Sequence, residues 1–157
     1  MKLVEIEGIG PVYAQKLIQA GIKTPQDILE NGHTATKRKE LAHKTGISEK
    51  QILNFVHAAD LLRIKGVGLE FVGLLEEVGV DSSKELSQRD VEQLAKAIRE
   101  VNQRKKLVRR VPGIKELMRI ISVAKEINQA PKGLAGNIST DAPPPPPKSK
   151  YGPVIEY

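Results

Sequence analysis

Two stretches, I-E-G-I-G-P-V at residues 6–12 and I-K-G-V-G-L-E at residues 64–70, set two glycines one residue apart before a run that reads as helix. Glycine admits positive φ and lets a backbone come close to whatever approaches it. The first N–H groups of a helix have no intrahelical partner and sit at the positive end of its dipole. Gly8–Gly10 and Gly66–Gly68 therefore have the makings of an anion site, a nucleic-acid phosphate being the natural ligand. The other reading is a tight turn whose apolar centre, Ile9 or Val67, anchors it in the core. Both readings stay open at this point. Two looser turns, H-K-T-G-I-S around Gly46 and R-R-V-P-G-I-K around Gly113, hold one glycine each. These are the better placed electrically, with His43 and Lys44 before Gly46, and with Arg109, Arg110 and Lys115 bracketing Gly113. Lys37, Arg38, Lys39, Lys105 and Lys106 add to the same two neighbourhoods. Hairpin one, by contrast, follows Glu5 and Glu7, which repel a phosphate.

Bond-making chemistry finds little support. His33, His43 and His57 show no HExxH spacing and pair with no carboxylate in a ligand pattern, and the absence of Cys removes thiolate sites, so neither metal nor other cofactor is expected. Neither glycine pair leads into Gly-Lys-Ser/Thr. The glycines at 66, 68 and 73 are spaced one residue too widely for a dinucleotide fingerprint, and no strand precedes them. No Ser/His/Asp or Cys/His set presents itself as a nucleophile, so the expectation is a protein that is not an enzyme.

The 157 residues are 39% hydrophobic but only 3% aromatic, with no Trp, so the core must be built from Leu, Ile, Val and Ala, which suits packed helices. The net charge of +6 permits binding to polyanions without requiring it. Residues 1–60 carry eight Lys/Arg against seven Asp/Glu, and residues 61–130 fourteen against ten, with the densest run at R-K-K-L-V-R-R, 104–110. No apolar run reaches the ~18 residues of a membrane span. The opening M-K-L-V-E-I-E-G is interrupted by Glu5 and Glu7 and does not read as a leader, so a cytoplasmic protein is expected.

The elements that must hold these glycines come in duplicate. Leu3, Ile6, Gly8, Gly10, Leu17 and Gly21 recur 58 residues later as Leu61, Ile64, Gly66, Gly68, Leu75 and Gly79. Such a register indicates a duplicated supersecondary unit. Unit one is expected over 1–60 and unit two over 61–128, packed together as one globular domain. Pro11 opens the first helix and Gly21 stops it. Thr24-Pro25 starts a second, ended by Gly32, and a third runs from about Lys37 to Lys44. Ser48 and Gln51 stand at capping-box spacing before a fourth that continues towards Leu62. Unit two repeats the plan, with helices over Asp90–Arg104 and beyond Pro112-Gly113. No strand signal is present, so the fold class is all-α. Residues 129–157, with five prolines at 143–147, are expected to form a disordered tail, its proline run in polyproline II. The aromatic and apolar residues of Tyr151–Tyr157 would suit a protein partner's groove.

Gly-apolar-Gly followed by a helix with a small residue four positions on resembles the helix-hairpin-helix motif. Over residues 1–128 the chain resembles a family of tandem helix-hairpin-helix proteins, common in bacteria, that is catalogued as a domain of unknown function. The resemblance implies the fold; for DNA-binding relatives it implies sequence-independent contact with backbone phosphate. Those relatives usually carry Lys or Arg just after the second glycine, where this chain has Pro11-Val12 and Leu69-Glu70. The expected function is phosphate binding on nucleic acid, duplex DNA above all, through Gly8, Gly10, Lys44, Gly46, Gly66, Gly68, Arg109, Arg110, Gly113 and Lys115. The alternative is a helical interaction scaffold with a C-terminal docking peptide. Oligomeric state is not readable from the sequence.

Overall fold

The computed structural model describes residues 2–129, whose regular secondary structure is all helical, with no strand among them. The polyproline run and the Tyr151–Tyr157 peptide lie outside the described residues. The tail was expected from residue 129, but Gln129 belongs to the last helix end, its N–H donating to the carbonyls of Lys125 and Glu126.

The chain divides into two compact units, one ending at Asp60 and one over Leu61–Gln129. The first holds a 3-10 turn at Leu3–Glu5, then α1 (Pro11–Gln19), α2 (Pro25–Gly32), α3 (Ala35–Thr45) and most of α4 (Glu49–Leu62). The second holds α5 (Leu69–Glu77), α6 (Ser83–Ser87), α7 (Val91–Lys105) and α8 (Ile114–Asn128).

The duplication extends to individual hydrogen bonds. Ile9 N–H reaches Ile6 C=O at 3.0 Å, and Val67 N–H reaches Ile64 C=O at 3.0 Å. Each bond closes a four-residue turn whose third position, Gly8 (φ 91°) or Gly66 (φ 94°), must have positive φ. At the far end of the following helix, Gly21 N–H bonds Ile18 C=O and Ile22 N–H bonds Leu17 C=O. Gly79–Glu76 and Val80–Leu75 repeat that pair in unit two, so both helices end in the double-bonded glycine stop known as the Schellman motif. The next helix is then capped alike. Thr24 Oγ1 accepts Asp27 N–H at 3.1 Å and Ser82 Oγ accepts Glu85 N–H at 3.3 Å. The Asp27 and Glu85 carboxylates reach back to the backbone N–H of Lys23 and Asp81.

Within unit one, α2 packs on α3, and Phe55 of α4 lies beside Gly8 and tilts against Tyr13, with ring centroids 6.2 Å apart. Gly32 departs from expectation. It is the last residue of α2 rather than a stop beyond it, and a Cβ there would come within 2.5 Å of Val56 Cγ2. Its glycine serves the close approach of α4. Ser48 also caps only partly as expected: its Oγ accepts Gln51 N–H, but Gln51 Oε1 accepts the hydroxyls of Ser48 and Tyr13 instead of completing the box. Within unit two, α8 packs on α6 and α7, and α5 on α7, around fully buried Leu74, Leu75, Leu86, Ile98, Leu117 and Ile120. Truncating any of these to Ala should cost about 2–5 kcal/mol.

Candidate functional site

Helix starts among the described residues are of two kinds. Four are capped by side chains: Thr24 for α2, Thr34 for α3, Ser82 for α6 and Asp90 for α7, each accepting a first-turn N–H. Ser48 does the same for α4. Three are capped by glycine alone, namely Gly10 for α1, Gly68 for α5 and Gly113 for α8, and no side chain covers their first-turn amides.

These three glycines are not required by the fold itself. Their φ values of −81°, −103° and −77° suit any residue, and a Cβ at each would meet nothing within 4 Å. Gly8 and Gly66, one turn earlier, are the conformationally obligatory members of each pair. The second glycine leaves backbone amides open to approach from outside the chain.

Unit two brings two of the open helix starts together. A groove of about 770 Å³ is lined by Gly66, Gly68, Leu69, Glu70 and Phe71 at the start of α5, and by Val108, Arg109, Arg110, Pro112, Gly113 and Glu116 leading into α8. Five of the ten residues expected to bind thus share one wall-to-wall site: Gly66, Gly68, Arg109, Arg110 and Gly113. Arg109 and Arg110 are exposed. Lys115 is exposed on the first turn of α8 and does not line the groove.

Two carboxylates also face it. Glu116 is engaged by Arg119, whose Nη2 and Nε donate to its two oxygens at 2.6 and 3.2 Å. That hydrogen bonding and the guanidinium charge hold the Glu116 carboxyl below the usual range and push the Arg119 pKa up. Arg119 Nη2 also donates to Lys65 C=O at 2.7 Å, tying α8 to the Gly66 turn. A Cβ on Gly66 would run into this guanidinium. Glu70 leaves one acid on the groove against Arg109 and Arg110.

Unit one scatters the remaining expected residues. Gly46 ends α3 with φ 75°, and its N–H is taken by Ala42 C=O at 2.8 Å, so that amide is not free for a ligand. Lys44 borders two shallow depressions, one with Lys39 and His43 along α3 and one with Lys16 and Thr45. Gly10 is followed by Pro11, which has no N–H to offer. Gly8 packs against Phe55.

No local pattern in the chain points to Arg119 or to Asn102, whose side chain holds the backbone of Val108 next to the arginines. Among the described residues no cluster of three or more His, Asp or Glu is placed to hold a metal ion. No helix among them is long and apolar enough to cross a membrane. A family model described as Domain of unknown function (DUF4332) matches residues 7–127. No curated protein and no solved structure matches the chain.

Proposed function

We propose, for a chain that belongs to the family described as Domain of unknown function (DUF4332), a non-catalytic role in the cytosol as a binder of nucleic-acid backbone, duplex DNA in the first place. Its units are read as diverged helix-hairpin-helix pairs, and phosphate is seated in the groove of unit two. The observation that carries this reading is the convergence of Gly68 and Gly113 with Arg109 and Arg110 on one groove. Two helix starts are left open there by glycines that neither φ nor packing demands. Dipole and amides attract an anion, and the two guanidiniums match phosphate oxygens in charge and fork geometry. Contacts of this kind read no bases, so binding is largely independent of sequence.

Unit one serves mainly as architecture in this scheme. Pro11 removes an amide, Glu5 and Glu7 lie close in sequence to its glycine pair, and Gly46 has its N–H engaged. Lys16, Lys39 and Lys44 supply at most a diffuse positive surface beside it.

The test is a titration of fluorescent duplex DNA with wild type and R109A/R110A across a range of salt. Each phosphate contact contributes about 0.9 to the slope of log K against log salt, so the double variant should lose affinity and flatten the slope by about two units. Unchanged affinity in the variant would remove the groove from consideration. Binding that ignores salt would favour an apolar interaction scaffold over phosphate recognition.

A further inference from the structure

The arginines of the groove lie on a segment with little structure of its own. α7 ends at Lys105, and Lys106 takes a left-handed conformation (φ 50°) with its N–H on Asn102 C=O at 2.8 Å. From there to Gly113 the chain is irregular. A free segment of this kind would sample many conformations, and ordering two arginines on binding costs side-chain and backbone entropy. Here the segment is pinned at one point. Asn102 Nδ2 donates to Val108 C=O at 3.0 Å, and Val108 N–H donates to Asn102 Oδ1 at 3.0 Å. One half-buried carboxamide thereby satisfies both backbone polar groups of the residue just before Arg109. Among the described residues no other hydrogen bond holds residues 107–112.

We infer that Asn102 is a positioning residue for the phosphate site: its paired bonds to Val108 hold Arg109 and Arg110 at the groove formed by the starts of α5 and α8. The inference rests on the phosphate-binding reading. A carboxamide is suited to this task because it sets an N–H donor beside a C=O acceptor in one plane, the same pair that a neighbouring strand would present. Asp at this position keeps the acceptor for Val108 N–H but loses the donor. Ala loses both while leaving the backbone bond from Lys106 N–H to Asn102 C=O in place. The carboxamide adds no charge and lines no part of the groove, so it makes no direct contact with a ligand seated there.

A double-mutant cycle on the full chain separates positioning from general stability. Duplex DNA is titrated at low salt with wild type, N102A, R109A/R110A and the triple variant. N102A should bind about three- to tenfold more weakly, within the range expected for interaction energies between coupled residues. Added to R109A/R110A it should do nothing more. Wild-type affinity in N102A, with R109A/R110A impaired, would overturn the inference and leave the phosphate reading intact. An equal further loss in both backgrounds would also overturn it, since Asn102 would then act through the fold. Full affinity in R109A/R110A would remove the phosphate reading and the positioning role with it. Should N102A not fold, amide exchange on wild type decides. Val108 N–H must exchange slowly relative to Arg109 and Arg110; exchange as fast as theirs contradicts a pinned segment.

Discussion

At the scale of single residues, the members of each glycine pair do different work. Gly66 must be glycine because its turn needs positive φ, and a side chain there would also displace the Arg119 guanidinium. Gly68 has ordinary φ and open surroundings. The same substitution should therefore have different consequences two positions apart. G66T should destabilise by about 1–2 kcal/mol from the left-handed backbone alone, and further through loss of the Arg119 bond to Lys65. G68T should leave stability within a few tenths of a kcal/mol, since Thr and Gly rank alike as N-caps. Thermal denaturation of the two variants reads the difference directly, and equal losses would show that both glycines are structural. The G-x-G pattern could be read from the sequence, because glycine spacing before a helix is a local signal. The division of labour could not, because it depends on Arg119, 53 residues from Gly66 along the chain. Asn102 was invisible for the same reason: nothing in the sequence ties an asparagine within a helix to a valine beyond the helix end.

At the scale of elements, helix starts and stops follow the sequence closely. Gly21 and Thr24 do what their types predict, because a cap is decided within four or five residues. Gly32 shows the limit, since its role is set by Val56 across the unit and not by its own helix. The cap of α2 carries a pH signature. Asp27 accepts the N–H of Lys23 at 2.9 Å and of Thr24 at 3.1 Å, and the backbone bond from Lys23 leads in holding its pKa below the usual carboxylate range. A carboxyl whose folded pKa is depressed stabilises the native state at pH above its unfolded value, about 3.9. That contribution is lost as pH falls through the lower, folded value. D27N should cost about 0.5–1 kcal/mol at neutral pH, the lower end being apt for a cap this open to solvent. It should also flatten the decline in melting temperature on acidification below about pH 4. An unchanged acid limb in D27N would place the pH dependence on other carboxylates.

At the scale of the whole molecule, a duplicated unit has kept its frame and diverged in its surface. Turn, Schellman stop and cap recur bond for bond 58 residues apart, while Pro11 stands opposite Leu69 and Glu7 opposite Lys65. The all-α class and the repeat were accessible from composition and register. The concentration of open amides and arginines in unit two was not, because it requires α5, α8 and the segment between α7 and α8 to meet. Sequence placed weight on Gly46 and Gly113 equally, and the structure separates them: Gly46 ends α3 with its amide engaged there, whereas Gly113 opens α8 on the groove. The most direct test of phosphate seating is duplex DNA binding by G68T/G113T, measured beside wild type at about 50 and 200 mM salt. These substitutions change no charge, and they introduce the cap that α2 and α3 already use. With folding intact, affinity at low salt should fall about tenfold or more, and the salt dependence should weaken, as expected when phosphate contacts are lost. Wild-type affinity in a folded G68T/G113T would show that the open helix starts hold no phosphate.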